Sequence, residues 1–501
     1  MLPNYLEHLI SKLPLSAQAT VRGIVSWFSD QLSQRDKQIS TQQARIRELE
    51  AQLNQHSGNS SRPPSSDTNN KPRKNKSKTT SKKSKRKRGG QTGHKGHTLK
   101  MVPSDEATIT DHYPSTCDHC GNSLSDESSL SYDRSQVFDI PPMSIEVTEH
   151  RAHYKTCGCC HQVSQAELPS YASNHAVYGP NLRAMVVYLM GYQMLPYDRC
   201  VELLEAMFGI RPSVGTLDNI LSQADQNLDE FMEQVGVVLQ QTDVAGFDET
   251  VVRAENAQRY VHVARSDQHT LFHLGRRDYQ TMNQMGILTD FKGIAVHDRY
   301  ANYFGYDCQH ALCNAHLLRD LQAVIDRYPK EDGDKSRWAE HLQALLRKMN
   351  QAVKRAKEQG KTEFSASHLA QYRQRYRYLI EQGMAQHPAK PPDDDGTTVK
   401  QSKAHNLLIA LDRYTDEVLH FAYDFRVPFD NNGAERDIRM LKVKMKISGF
   451  FHSLQTGNRF MRIRSFISTA TKQGHCAWKA LAQLFTDNQN DFVLNLVAIK
   501  S

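Results

Sequence analysis

The sequence predicts a multidomain α/β protein. A mixed-sheet core carries an all-helical insertion and is preceded by a zinc-binding module and an N-terminal coiled-coil helix. Three observations carry that reading. After Gln240, three strand-like segments are followed by a short helix and a fourth strand, the order of a mixed α/β sheet. Two Cys-x-x-Cys pairs lie between residues 101 and 170, a pattern suited to tetrahedral thiolate ligation of zinc. Near the N-terminus, Leu32, Ile39, Ile46 and Leu53 recur every seven residues, as on the seam of a coiled coil. A length of 501 residues suits roughly three domains rather than one.

Charge is unevenly spread. The net charge is +8, yet Lys71 to Arg88 hold eleven basic residues, and no acid occurs between Asp67 and Asp105. Removing those eleven from +8 leaves −3 for the rest of the chain. A hydrophobic fraction of 39% still allows a sizeable core outside that segment. No apolar run approaches the roughly 18 residues of a membrane span, and the start of the chain lacks a signal-peptide pattern. The expectation is a cytoplasmic protein with no membrane partner that seeks polyanions. Nine cysteines in such a chain point to metal rather than disulfides.

In order, residues 1–55 read as a helical, coiled-coil segment for self-association. Residues 56–100, rich in Ser, Asn, Pro, Lys and Arg, cannot bury enough apolar surface to offset the entropy of ordering, and read as a flexible basic linker. Its cations, Lys82, Lys83 and Arg86 among them, would contact DNA phosphates without reading bases. Residues 101–170 form the cysteine module. Cys117 and Cys120 are followed by alternating segments at Tyr132–Phe138 and Ile145–Thr148 and then by Cys157-Gly158-Cys159-Cys160. The 36-residue spacer exceeds the usual zinc-ribbon gap. Cys117, Cys120, Cys157 and Cys160 are the expected zinc ligands, with Cys159 and His161 as possible substitutes. Residues 171–240 read as a helical DNA-binding region: one helix over Pro196–Phe208 ends at Gly209, and Ser213 caps the next.

Residues 241–318 read as the first part of the core, with strands at Val244–Arg253, Arg259–Ser266, Thr270–Gly275 and Gly293–Asp298, and a helix at Thr281–Thr289. With a side-chain period of two, Asp248 shares a face with Val244, Gly246 and Val252, and Asp298 follows Ile294 and Val296. Glu249 points to the opposite face and is expected to be dispensable. An Asp on an otherwise apolar strand face costs several kcal/mol unless a cation or donors satisfy it. Residues 319–425 read as a helical insertion broken at Pro388–Gly396. Residues 426–501 return to the core, where Asp430 or Asn431 caps a helix bearing Glu435 and Arg439 at i and i+4. By itself that pair reads as a surface ion pair. Oxygen ligands from two strands and one helix would suit two Mg²⁺ ions. Cys313 and His316 supply only half of a second metal site, and a structural role near Asp298 is expected for them.

At these residues the chain closely resembles the insertion-sequence-66 family of bacterial transposases, over roughly residues 57–485. The resemblance runs through Asn59–Asp67 and Gly90–His97, Gln136–Pro142, Gly179–Leu182 and Phe208–Ile210. Its most specific blocks are Phe247–Thr250, Ala295–Asp298, Cys313–Arg319 and Pro428–Arg436. Each block is short; it is their order along one chain that is specific. The resemblance implies an RNase H-like fold and a DDE triad of Asp248, Asp298 and Glu435, each a magnesium ligand. Arg436, Arg439 and Lys442 would then contact phosphate.

The implied activity is metal-dependent phosphodiester hydrolysis and strand transfer at the ends of an insertion sequence. The implied partners are double-stranded DNA (element ends and target), a second copy of the chain or a higher assembly, and small accessory proteins. The expected location is the nucleoid. A non-catalytic, sequence-specific DNA-binding regulator derived from a transposase is the alternative from another class. A structure-specific nuclease of the same fold is the enzymatic one.

Overall fold

The computed structural model describes residues 4–53, 98–141, 143–172, 175–328, 335–393 and 399–498. They divide between two units, one of residues 1–72, 149–205 and 211–501, the other of residues 73–148 and 206–210. The linker cations Lys82, Lys83 and Arg86 lie outside the described residues.

The larger unit begins with α1 (Asn4–Ser11) and α2 (Leu15–Leu53). The single helical segment read from the sequence is broken at Lys12–Pro14, because Pro14 lacks an amide to continue α1 and disfavours helical backbone at the residue before it. Leu32, Ile39, Ile46 and Leu53 all lie exposed along α2. A short antiparallel hairpin follows, of β1 (Tyr154–Thr156) and β2 (Val163–Gln165). The helical region comprises α3 (Pro180–Val187), α4 (Tyr197–Phe208), α5 (Val214–Gln226) and α6 (Asp229–Gln240). As the sequence predicts, α4 stops at Gly209, whose φ is +69°, and Ser213 Oγ accepts the Thr216 amide at 3.1 Å.

The sheet is built from β3 (Val244–Ala254), β4 (Ala257–Arg265), β5 (Thr270–Gly275), β6 (Ile294–His297) and β7 (Gln309–Leu312), with α7 (Tyr279–Gln284) between β5 and β6. Its order is β5-β4-β3-β6-β7. β3, β4 and β5 are antiparallel neighbours; β6 and β7 run parallel to β3. Glu255 and Asn256, both at positive φ, form the two-residue turn between β3 and β4, the backbone that matches the twist of a tight hairpin. The strand β7 was not anticipated. Only four residues long, it is too short to show a period.

The insertion consists of α8 (Asn314–Arg327), α9 (Arg337–Glu358), α10 (Ala366–Gln386), α11 (Lys403–Arg413) and α12 (Thr415–Tyr423). Leu321, Trp338, Leu346, Tyr376 and Leu408 share one core with Ile294 and Val296 of β6, so the insertion packs directly on the sheet. The chain then returns through α13 (Asn432–Ser448), α14 (Leu454–Lys472), α15 (Ala477–Gln483) and α16 (Gln489–Val497). Ala434, Ile438 and Leu441 of α13 pack with Val252, Ala254, Val261 and Val263.

α14 closes the outer edge of β5. The amides of Thr270, Phe272 and Leu274 donate to Thr469 Oγ1 (3.1 Å), Ser465 Oγ (2.9 Å) and Asn458 Oδ1 (3.0 Å). Helix side chains thus take the ladder positions of a missing strand and blunt an edge that could otherwise template pairing. On its other flank, α14 sends Arg459 to Asp218 and Arg462 to Asp225 and Asp229. The helical region is thereby tied to the core by charge-assisted bonds.

In the smaller unit, Tyr132–Phe138 and Ile145–Thr148 do not form strands. Val137 and Val147 are both 88% exposed. Alternation gives a strand only where a partner supplies the ladder, and among the described residues of this unit there is only an isolated bridge between Thr116 and Ser123. Gln136 instead caps one residue, taking the Val102 amide and donating to its carbonyl, both at 2.8 Å. Among the described residues no helix is long and apolar enough to cross a membrane.

Candidate functional site

β3 and β6 set two of the predicted acids side by side. Val244 pairs with Ile294, Ala245 with Ala295 and Gly246 with Val296. Carrying that register two residues further brings Asp248 level with Asp298. Both follow the phase whose other members meet α13 and the insertion. Asp298, just past the end of β6, has its Oδ1 fixed by the Tyr300 amide at 2.8 Å.

Glu435 comes from the first turn of α13, and the start of that helix is pinned to the sheet. Asn431, only 5% exposed, donates its side-chain amide to Phe247 O at 2.7 Å. Its backbone amide meets Cys313 Sγ at 3.1 Å. Of the two capping candidates, Asn431 holds the N-cap position without a side-chain cap bond, and Asp430 accepts the Asn432 amide at 3.1 Å, which leaves the Asn431 side chain for the sheet. Glu435 does not pair with Arg439. It accepts from Arg319 of α8, and His316 Nε2 lies 3.8 Å from its Oε1. Arg319 ends the Cys313–Arg319 block, and no local spacing links it to Glu435, 116 positions away.

The acids act on one another. Burial raises the pKa of Asp248 well above the usual carboxylate range, and the charges of Glu249, Asp298 and Glu435 push it the same way. In donor chemistry such a cluster of carboxylate oxygens suits Mg²⁺, but among the described residues the ligand atoms of Asp248, Asp298 and Glu435 are not gathered within 4.8 Å of one another. Lys442, two turns beyond Glu435, is lowered by its burial while Asp248 and Glu435 pull it back up. Arg436 and Arg439 project from the same helix, exposed, with no ion-pair partner among the described residues.

Glu249 does face away from Asp248's side, but that side is not solvent. Its side chain is 3% exposed. It accepts from Arg277 Nε and from the Tyr303 hydroxyl, both at 2.7 Å, within a layer that includes Phe247 and Phe291. The Arg277 guanidinium lies 3.9 Å over the Tyr300 ring, and the Tyr300 hydroxyl donates to Arg277 O at 2.9 Å. A chain of contacts therefore runs from Glu249 through Arg277 and Tyr300 to Asp298. No local pattern announces it, since its members come from three separate segments.

Cys313, at the N-cap of α8, is 1% exposed. Burial pushes its thiol up to about 12, against the opposing pull of the Asn431, His316 and Ala315 amides. One ligand atom each from Cys313, His316 and Glu435 lie within 4.8 Å of one another.

The two Cys-x-x-Cys segments, taken one at a time, have the same turn. The Cys117 amide donates to Asn122 O (2.8 Å), and the Gly121 amide donates to Cys117 O (2.9 Å). The Cys157 amide donates to Gln162 O (2.8 Å), and the His161 amide donates to Cys157 O (2.9 Å). Gly121 and His161 both sit at positive φ, +77° and +57°. The Cys117 thiol is lowered by the amides of Cys120 and His119, the Cys157 thiol by those of Cys160 and Cys159. Amides aimed at a sulfur stabilise the thiolate, the form that binds zinc.

Three family models match the chain. One, described as Transposase IS66 family, covers residues 175–459. A second, the zinc-finger binding domain of transposase IS66, covers residues 114–161. The third, a family of unknown function (DUF6444), covers residues 11–100. No curated protein matches the chain.

Proposed function

The chain belongs to the IS66 transposase family, and we propose that it catalyses metal-dependent phosphodiester hydrolysis and strand transfer at the ends of an insertion sequence. The observation that supports this reading is the parallel pairing of β3 and β6 up to Gly246 and Val296, which carried two residues on would align Asp248 with Asp298, with Glu435 near enough to perturb Asp248. The three acids would hold two Mg²⁺ ions on an RNase H-like core whose helical insertion supplies Arg319 to steady Glu435. When bound there, such a pair would supply activation of the attacking oxygen and stabilisation of the leaving one. Water is the first nucleophile, at the element end; the freed 3′-hydroxyl is the second, at target DNA. Arg436 and Arg439, exposed beside Glu435, would orient phosphate, with Lys442 behind them.

For the module, Cys117, Cys120, Cys157 and Cys160 are the proposed zinc ligands. The shared turn favours Cys157 and Cys160 over Cys159 and His161, because they match Cys117 and Cys120 position for position. DNA contact is proposed for the basic linker and α4–α5, and pairing between copies for the α2 stripe.

The test is nicking and joining of element-end DNA with Mg²⁺ or Mn²⁺, with any accessory proteins supplied. Asp248→Asn, Asp298→Asn and Glu435→Gln keep shape but remove charge, so each should cut the rate by orders of magnitude while DNA affinity persists. Wild-type protein that binds ends but never cleaves them would favour a regulator.

A further inference from the structure

We infer that Cys313, His316 and Glu435 form a second metal site, for a thiophilic divalent ion such as zinc, and that its occupancy withdraws Glu435 from Asp248 and Asp298. The binding half stands on geometry alone. The inhibitory half rests on the reading of Glu435 given above.

The three donors reach this point from two helix starts. Cys313 caps α8, His316 lies in its first turn, and Glu435 lies in the first turn of α13. Their ligand atoms are already gathered within 4.8 Å, so closing on one ion needs shifts of about 1 Å to reach the ~2.0–2.3 Å bonds of zinc. The start of α13 is held against this cluster by the Asn431 amide, 3.1 Å from Cys313 Sγ. Such an N–H bond to sulfur would persist beneath a bound ion as an outer-shell support. His316 Nδ1 is buried without a hydrogen-bond partner, while Nε2 faces Glu435 at 3.8 Å. One ring nitrogen thus has no competing bond to give up.

The donor set decides the ion. Sulfur, imidazole and a single carboxylate select zinc or cobalt, whereas magnesium prefers oxygen alone. The site beside it, with Asp248 and Asp298, is of the opposite kind. Glu435 is common to both, and a carboxylate turned onto an ion held by Cys313 and His316 is turned away from Asp248 and Asp298. Arg319 already neutralises part of its charge, which makes this a weaker site than a four-thiolate one. It would fill only when free zinc rises and would then act as a brake.

The experiment uses the full chain, stripped of metal and titrated with Co²⁺, whose thiolate charge-transfer absorption reports sulfur ligation. Wild type should take up about two equivalents, one in the cysteine module and one here. Cys313→Ala should remove the weaker one, and His316→Gln, which leaves the buried sulfur in place, should weaken it about tenfold or more. Cys117→Ser should lose the tighter one instead. In parallel, Zn²⁺ should inhibit Mg²⁺-dependent nicking by wild type, while Cys313→Ala and His316→Gln, each scored against its own zinc-free rate, should tolerate about tenfold more zinc. Saturation of wild type at one equivalent, or a weaker equivalent that survives both Cys313→Ala and His316→Gln, overturns the site. Equal zinc sensitivity of wild type and Cys313→Ala overturns the brake. Normal nicking by Glu435→Gln would instead remove the triad reading and leave the cobalt result standing.

Discussion

A single nitrogen of Arg319, Nη2, lies 2.9 and 3.2 Å from the two carboxylate oxygens of Glu435. The insertion is therefore not only an addition between Asp298 and Glu435; it supplies the counter-ion that fixes the orientation of the last acid. Arg319→Gln should leave the helices folded but lower the nicking rate roughly 10- to 100-fold, the scale of a misplaced reacting group. Arg319→Lys keeps a cation able to straddle both oxygens and should lose less. Divalent-ion affinity separates placement from charge: with the neutralising cation gone, the Arg319→Gln protein should bind Mn²⁺ at least as tightly as wild type. A wild-type nicking rate in Arg319→Gln would show the ion pair to be idle.

Much of the sheet was legible because its strands alternate or run apolar with clear stops. β5 was placed residue for residue, and the period of two correctly separated Asp248 from Glu249. What the sequence could not show was long-range closure. Nothing near Glu435 announces Arg319, so the local i, i+4 rule offered Arg439 instead. Nothing near Glu249 announces Arg277 or Tyr303, so Glu249 passed for dispensable. The segments at Tyr132–Phe138 and Ile145–Thr148 failed for a related reason, since alternation describes half of a strand pair and says nothing of the other half.

Glu249 offers the second prediction. Its carboxylate holds Arg277 and Tyr303, and through Tyr300 this group reaches Asp298. Glu249→Gln should lower stability by roughly 1–3 kcal/mol, less than a fully buried pair, because Arg277 is 37% exposed and partly screened. It should also slow nicking without weakening DNA binding, through loosened support of Asp298. Denaturant midpoints and nicking rates check both; a variant equal to wild type in each would return Glu249 to the dispensable role first expected.

The repulsion at Asp248 has a pH signature. Its folded pKa is raised above the 3.8 of a free Asp, so the folded state binds this proton more tightly than the unfolded one. Its contribution to stability is then full below about pH 3.8 and is lost as pH rises through the raised value. Without divalent metal, Asp248→Asn should therefore be more stable than wild type at pH 7. The gap should close on acidification by at most about 1.4 kcal/mol per pH unit. Subtracting the variant removes the titration of the buried histidines, which runs the other way. Saturating Mg²⁺ should shrink or reverse the gap, because the ion stabilises only the ionised carboxylate. A gap independent of both pH and Mg²⁺ would rule out the charge cluster.

Gly246 leads to the last prediction. It lies two residues before Asp248 on the same face of β3, where the start of α13 comes down on the strand. A Cβ at Gly246 would stand 2.4 Å from Asn431 Oδ1 and 3.3 Å from Arg265 Cγ. Asn431 cannot swing clear: its side chain is short and buried, its amide is committed to Phe247 O, and its backbone to Cys313. Gly246→Ala must therefore lift the start of α13, and with it Glu435, four residues on. A modest overpacking cost of about 1–3 kcal/mol should come with a disproportionate loss of nicking, because Glu435 moves while Asp248 and Asp298 stay. Gly215→Ala is the matched control. Its Cβ would meet only Ser213 Oγ at 3.7 Å, and alanine within α5 should add roughly 0.5–1 kcal/mol. Thermal melts and nicking rates of the two variants settle the matter. Gly246→Ala protein that nicks at the wild-type rate would mean that α13 can shift without disturbing the chemistry, and that Glu435 is not needed where this structure holds it.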